Sequence, residues 1–362
     1  MSPEKIPSPA ISVIVPAFNA AVYLPRCLQA VFSSGWSFEC IVVNDGSTDD
    51  SALIAGRAGA RVVHVSEGPF GPAYARNRGA EAAYGKILFF LDADIVLAPG
   101  ALRRVWTLFQ ERPDVVAVFG SYDNRPAAPG VVSRYRNLLH HFVHQNGNRE
   151  ASTFWAGCGA IRRSVFEKIS GFDEQRFSRP SIEDIELGYR LRKAGHRILL
   201  DKGLQGTHLK QWSFCSMVRT DITSRAIPWS RLIKETPKGS SDLNLRPMQK
   251  ASVTLMGLAS VFLALTVVWP QALTLSALAI AKVVFLNRKL YAFFGRQHGT
   301  LFAVACIPLH LLYYLYSGLS YLYACAEFRI SKLTKKGASS LRSEVQSIKV
   351  EKLEQTLVDR DR

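Results

Sequence analysis

Acidic residues are under-represented in this 362-residue sequence, 29 Asp and Glu against 45 Lys and Arg, which leaves a formal net charge of +16. Such an excess calls for an anionic partner or surface. Nucleic acid is not indicated, because there is no zinc-finger spacing, no aromatic RNA-recognition signature and no block of lysines along one helix. Cysteine is scarce as well. Cys27, Cys40, Cys158, Cys215, Cys306 and Cys325 form no C-x-x-C pair and no regular spacing, and two lie inside apolar runs. That pattern excludes a disulfide scaffold and predicts reduced, mostly buried thiols in a cytoplasmic setting. No G-x-G-x-x-G follows the first apolar run, as a dehydrogenase would need, and the Gly-rich loop of a nucleotidyltransferase is replaced by Pro16-Ala17-Phe18-Asn19. The first ten residues are polar and proline-rich without the apolar core of a signal peptide, so the N-terminal domain is expected to stay in the cytoplasm. Internal repeats are absent. A hydrophobic content of 48% excludes general disorder, and the length suits one large α/β domain with an appendage.

What is present is an alternation of short apolar runs with helical patterns. Residues 11–15, 40–43, 61–65, 87–91 and 115–119 read as strands, and residues 24–32, 51–58 and a stretch through Arg76 and Ala83 as helices. This order predicts a parallel sheet joined by right-handed crossovers. Its centre is the stretch from Lys86 to Pro99, where residues 87–91 are continuously apolar and the chain leaves them directly into Asp92 and Asp94. Ligands of α/β sheets bind at such strand ends, and two carboxylates there can hold a hard divalent cation that neutralises a diphosphate. A helix N-cap or an Asx turn would use the same residues, since Pro99 and Gly100 precede a helix.

Beyond residue 119 the periodicity is less regular. Residues 132–144 predict a helix, residues 154–162 a strand or loop around Trp155, residues 182–194 a helix opened by Glu183 and Asp184, and residues 197–200 a return to the sheet. His140, His141 and His144 lack a neighbouring Glu or Cys set, which favours an acceptor-side or structural helix over zinc. Residues 217–233 mix Arg219, Arg225 and Arg231 with Val218, Ile222, Trp229 and Leu232, which suits either an interfacial helix on a bilayer or a packed helix with a solvated basic face. Residues 251–269 and 301–326 carry no Asp, Glu, Lys or Arg, and residues 271–286 carry only Lys282, giving two or three candidate membrane segments. Lys234, Lys238, Arg246, Lys250, Arg288, Lys289, Arg296, Lys332, Lys335 and Lys336 would sit against anionic headgroups. Three crossings would leave the basic tail opposite the catalytic domain, against the positive-inside tendency, so one segment is re-entrant or interfacial, or the rule fails here. The expected organisation is a polar tail at 1–9, a catalytic domain at 10–212, an interfacial basic helix and linker at 213–250, membrane segments at 251–326 and a polar tail at 327–362.

Six motifs carry a family resemblance. Val15-Pro16-Ala17-Phe18-Asn19, Val43-Asn44-Asp45-Gly46-Ser47-Thr48-Asp49, Arg76-Asn77-Arg78-Gly79, Asp92-Ala93-Asp94, Gly171-Phe172-Asp173-Glu174 and Glu183-Asp184-Ile185-Glu186-Leu187-Gly188-Tyr189-Arg190-Leu191 occur in this order. Together they resemble the family 2 glycosyltransferases over roughly residues 10–235. The resemblance implies a GT-A fold, an α/β architecture with a mostly parallel central sheet flanked by helices. It also implies inverting transfer of a sugar from a nucleotide-diphosphate sugar of UDP or GDP type, with a bound Mg or Mn ion.

By that analogy Pro16, Phe18 and Asp45 line the base and ribose pocket, Asp92 faces the ribose and the metal shell, Asp94 is the principal metal ligand and Asp184 is the general base. His208 stands where many GT-A enzymes supply a further metal ligand, a plain hydrogen-bonded histidine being the alternative. Arg76 and Arg78 could reach the donor phosphates or lie on the surface. Trp155, Glu183 and Trp212 are expected on the acceptor side, although burial would account for Trp155 and helix-dipole compensation for Glu183. Two departures stand out. Asn44 replaces the Asp of many members, and Gln211-Trp212 lacks the spacing and the Arg of the Gln-x-x-Arg-Trp found in processive relatives, which speaks against polymer synthesis. The implied protein is a membrane-anchored hexosyltransferase at the cytoplasmic face of the cell inner membrane, acting on a lipid-linked or glycan acceptor such as a polyprenyl phosphate. Its rival is a catalytically silent scaffold or nucleotide-sugar sensor, which would have no use for Asp45, Asp94 and Asp184 together.

Overall fold

The computed structural model describes the backbone of residues 9–236 and 243–358, and side chains as far as residue 332 except that of residue 244. The expected tail at 1–9, apart from residue 9, lies outside these residues, as do Lys238 and the side chains of Lys335 and Lys336. The chain opens with β1 (Ile11–Ala17), α1 (Leu24–Phe32), β2 (Phe38–Asn44), α2 (Ser51–Arg57), β3 (Arg61–His64), α3 (Pro72–Ala82) and β4 (Ile87–Leu91). Pro25 and Pro72 fall in the first turns of α1 and α3, where a missing N–H leaves no bond unmade. It continues through β5 (Ile95–Leu97), α4 (Ala101–Glu111), β6 (Val115–Tyr122), α5 (Val131–Gln145), β7 (Glu150–Ala151), β8 (Cys158–Arg162), α6 (Arg163–Lys168), α7 (Glu183–Lys193) and β9 (Arg197–His208).

These strands make one sheet in the order β3-β2-β1-β4-β8-β6-β9-β5, with β7 also paired to β9. The first four strands are parallel, as expected. The second half corrects the expectation of a mostly parallel sheet: β8 runs antiparallel to both β4 and β6, and β9 runs antiparallel to β5 and β7 while pairing parallel with β6. The physical reason is that an uncharged, buried run such as residues 158–161 reports burial on both faces and says nothing of strand direction. Alternate residues feed two core layers. Ile87, Phe89 and Leu91 of β4 pack with Leu24, Leu102 and Phe109 on one face, and Leu88 and Phe90 pack with Phe166, Phe172 and Leu187 on the other. Gly79 lets α3 lie directly on β1, since a Cβ there would meet Ile14 Cγ2 at 2.4 Å.

After the sheet, α8 (Phe214–Thr220), a π-helical turn (Asp221–Ala226) and α9 (Ile227–Glu235) form one continuous rod. Pro228 offers no N–H to the carbonyl of Ser224, which instead accepts a hydrogen bond from Ser181 Oγ at 3.1 Å. Three basic residues of the rod are engaged within the protein: Arg225 on Asp221 at 2.8 Å, Arg231 on Glu327 at 2.7 Å and Lys234 over the Tyr321 ring at 4.8 Å. The helices α10 (Pro247–Leu265), α11 (Ala272–Leu286), α12 (Arg288–His298) and α13 (Thr300–Val358) follow. By length and composition α10 and residues Thr300–Lys332 of α13 could cross a membrane, and α11 is a shorter apolar helix. A third core joins α5, α8, α12 and α13 through Tyr135, Leu138, Met217, Phe294 and Cys306. All six cysteines are free thiols, and Cys215 is exposed.

Candidate active site

The carboxyl ends of β1, β2 and β4 open into a cavity of about 1500 Å³ that continues across α7 to the rod and to α13. At one end lie Pro16, Phe18 and Asp45. The loops carrying them are tied together, since Asn19 Oδ1 accepts from Thr48 N at 2.8 Å and Ala20 N donates to Ser51 Oγ at 2.8 Å. Asp45 is buried, and its two oxygens accept from Phe70 N at 3.0 Å and Gly71 N at 2.8 Å. It thereby holds the loop before α3 against the cavity, with lone pairs to spare.

Strand register creates the next feature. Ile95 pairs with His208 across β5 and β9, which brings Asp94 Oδ2 to 3.4 Å from His208 Nε2, and Leu209 N donates to the Asp94 carbonyl at 2.8 Å. Burial alone would raise the Asp94 carboxyl, but the His208 hydrogen bond and the charges of His208 and Lys210 outweigh it and hold the group below its ordinary value. Tyr122, the last residue of β6, stacks on His208 with centroids 4.3 Å apart and 15° between the rings. Among the described residues no group of three or more His, Cys, Asp or Glu side chains is placed to hold a metal. Asp94 and His208 form a pair. A pair fits a Mg or Mn ion whose remaining positions are taken by water and substrate phosphates.

Asp92, expected in the same shell, turns to a different partner. Its Oδ1 accepts from Arg76 Nη2 at 2.8 Å, while Arg76 Nη1 donates to Glu183 Oε1 at 2.8 Å. Arg76 is buried with both terminal nitrogens engaged, and at the border of the cavity it braces the end of β4 against the start of α7. Burial opposes its charge, and Asp92, Glu183 and Asp184 restore it, so that its pKa is raised. Glu183 also borders the cavity, and its second oxygen accepts from Ser181 N at 3.0 Å. Arg78 lies nearer the surface beside Glu81 at 2.9 Å and Glu174 at 3.4 Å. Between the two arginines, Asn77 accepts from Phe172 N at 3.0 Å and donates to the Phe172 carbonyl and to Glu174, clasping the Gly171-Phe172-Asp173-Glu174 turn.

Asp184 borders the cavity at the first turn of α7. Its Oδ2 accepts from Ala156 N at 3.1 Å and its Oδ1 from Ile185 N at 2.8 Å, so two backbone amides orient the carboxylate. Burial, followed by the charge of Glu183, raises its pKa to about 7. Gly188 permits this close seating, as a Cβ there would meet Phe154 N at 2.4 Å.

The far wall is aromatic and basic. Trp155 packs against Tyr122, His140 and His144, and the two histidines meet Nδ1 to Nδ1 at 3.1 Å. Burial lowers His144 to about 3, keeping it neutral. Trp212 borders the cavity beneath Lys210 Nζ, 4.4 Å from its ring, with its Nε1 buried and lacking a partner among the described residues. Arg136 and Arg225 converge on the buried Asp221 at 2.9 and 2.8 Å, and Tyr316 of α13 donates to the other Asp221 oxygen at 2.6 Å. Sequence reasoning did not single out Tyr122, Arg136, Lys210, Asp221 or Tyr316 as site residues. For Tyr122 a signal existed in its place at the end of a strand; Arg136 and Tyr316 meet Asp221 only across long stretches of sequence.

A family model described as Glycosyl transferase family 2 matches residues 12–170. An uncharacterized glycosyltransferase, alr2836, from Nostoc sp. (strain PCC 7120) is 36% identical over 175 residues, 45% of this chain and 54% of that protein. The uncharacterized glycosyltransferase YibD of Escherichia coli (strain K12) is 36% identical over 105 residues, 28% of this chain and 30% of its own length. The chain thus spans about half or less of the length of these curated relatives. Among solved structures, the mannosyltransferase PcManGT from Pyrobaculum calidifontis in complex with GDP-Man and Mn2+ aligns with a TM-score of 0.52 at 19% identity, covering 88% of each chain, which is a likeness of fold. Residues 12–170 therefore form a glycosyltransferase family 2 domain, and the sheet around them has the GT-A fold.

Proposed function

We propose that the protein transfers a sugar from a nucleotide-diphosphate sugar, with inversion, to a hydroxyl of an acceptor held at a membrane surface. The observation that carries this reading is the sharing of one cavity by the Asp94–His208 pair and the backbone-oriented carboxylate of Asp184. Asp94 and His208 would hold a divalent cation, Mg or Mn, whose charge when bound offsets that of a departing diphosphate. Pro16 and Phe18 offer an apolar rim for the base and ribose, and Lys210 adds a cation beside Asp94. As the acceptor oxygen bonds to the anomeric carbon and the bond to the diphosphate breaks, Asp184 takes the hydroxyl proton; a carboxylate with a pKa near 7 suits that task. Trp155 and Trp212 form the wall on which an acceptor sugar stacks. The cavity's extension to Tyr313, Tyr316 and Tyr321 of α13, with Arg136 and Arg225 beside them, favours an acceptor whose anionic, lipid-linked end lies there.

Thermal unfolding of the purified protein with UDP, GDP and their common sugars, with and without Mn or Mg, tests the donor half. A nucleotide at about one hundred times its Kd should stabilise by about 2.7 kcal/mol. The shift should require the metal and vanish in Asp94→Ala. Label transfer from the selected donor into a membrane extract, lost in Asp184→Asn, tests the second half; a nucleotide shift without transfer to any lipid or glycan would favour a silent nucleotide-sugar sensor.

A further inference from the structure

The apolar helices of the C-terminal region do not share one relation to the rest of the molecule. α10 and α11 form a hairpin whose large side chains point outward: Leu258, Val261, Leu263, Leu273, Leu278 and Phe285 are exposed. Its buried residues are mostly small, Ala259 and Ser252 on one leg and Ala272, Ser276 and Ala279 beside the larger Val283 on the other, with Ser276 Oγ donating to the Ala259 carbonyl at 2.9 Å. Small residues between helices with large ones outside is how helices pack in lipid and the inverse of a soluble core. At the tip, Val267 and Val268 are 88% and 80% exposed and Trp269 is 46% exposed. Much of the tip's backbone is tied within itself: Val268 N and Trp269 N reach the Leu265 carbonyl at 3.1 and 2.8 Å, and Ala272 N reaches the Trp269 carbonyl at 3.0 Å. Hydrocarbon tolerates such a turn.

Both legs return to the same place. Asn287, at the end of α11, donates to Ser252 Oγ near the start of α10 at 3.2 Å, and α12 then docks on α5 through Phe293 against His141 and Phe142. Charge collects at this base, with Arg246 before and Lys250 in the first turn of one leg and Lys282, Arg288 and Lys289 about the end of the other. The shorter leg, Ala272–Leu286, reaches about 22 Å at 1.5 Å per residue, short of a hydrocarbon core of about 30 Å. α13 cannot cross either, despite its length. It is fastened to the catalytic domain along its course, by His310 Nδ1 to Tyr135 Oη at 3.0 Å, by Tyr316 to Asp221 at 2.6 Å and by Glu327 to Arg231 at 2.7 Å.

We infer that the hairpin α10–α11 enters one leaflet of an anionic bilayer and returns, that α13 lies along the membrane surface, and that no segment of residues 247–332 crosses. This rests on the membrane-facing reading of the proposed function and specifies its form. Residue 332 then shares a side with the catalytic domain, and the basic residues flanking these helices stay with the anionic headgroups, which removes the conflict with the positive-inside tendency.

The test uses the full chain in sealed inner-membrane vesicles of both orientations with a membrane-impermeant maleimide. Native Cys215 reports the catalytic side. In a Cys215→Ser background, Lys332→Cys should label in the same vesicles as native Cys215, and Val268→Cys should lose labelling in both orientations until detergent is added. Labelling of Val268→Cys, or of Lys332→Cys, from the side opposite Cys215 would overturn the inference and establish a crossing. Labelling of Val268→Cys from the Cys215 side, together with failure to float with vesicles of phosphatidylethanolamine and phosphatidylglycerol, would overturn the membrane reading itself.

Discussion

In the proposed role of base, Asp184 would combine two demands that usually conflict, since a base must ionise to work and a carboxyl withdrawn from water resists ionising. With its pKa at about 7, turnover should rise as the pH passes 7 and then level off. Folding stability runs the other way. From pH 3.8, where the unfolded chain ionises this group, to about 7, where the folded chain does, stability is progressively lost, and the full penalty is present above 7. Asp184→Asn, which cannot ionise, should therefore melt at the same temperature as the parent at pH 4 and at a higher one at pH 8, while turnover falls by about 10²- to 10⁴-fold. Equal melting differences at both pH values would mean that the carboxyl does not titrate in this range. Asp94 and Asp184 were legible because each sits at the end of a recognisable apolar run or the start of a helix. Arg136 and Asp221 were not, because a buried ion pair between α5 and the π-helical turn leaves no mark on either segment alone.

Between elements, Arg76 decides how β4 and α7 meet. Replacing it by Gln leaves Asp92 and Glu183 beside one another without the cation, and breaking such a buried pair costs about 3–5 kcal/mol. Urea denaturation should show a loss of that order for Arg76→Gln, partly recovered in Arg76→Gln with Glu183→Gln, where the uncompensated charge is also removed. Strand existence could be read from residues 11–15, 40–43 and 87–91 because apolar side chains with few alternatives must be buried. β5 escaped notice as a strand of three residues, and β9 looked four residues long because Asp201, Lys202 and Gln205 interrupt its pattern. Those polar residues belong to a half-exposed extension, and it is this extension that delivers His208.

Across the whole molecule, Asp221 joins the catalytic domain to α13. A hydrogen bond to a charged group contributes about 1.5–3 kcal/mol. A double-mutant cycle with Tyr316→Phe and Asp221→Asn should return a coupling energy in that range, read from urea unfolding; a value near zero would mean that this hydrogen bond does not help to hold α13. β9 has a consequence for how the protein is made. It is the last strand of the sheet to leave the ribosome, and it is the partner of β5, β6 and β7. Until residue 208 has emerged, β5 and β6 present unpaired edges, the feature that drives nascent chains to aggregate. A fragment cut at residue 170, where the family match stops, would keep those open edges permanently and lack the histidine opposite Asp94. It should be recovered from insoluble material, because the boundary of the sequence family falls inside a folding unit that closes some forty residues later.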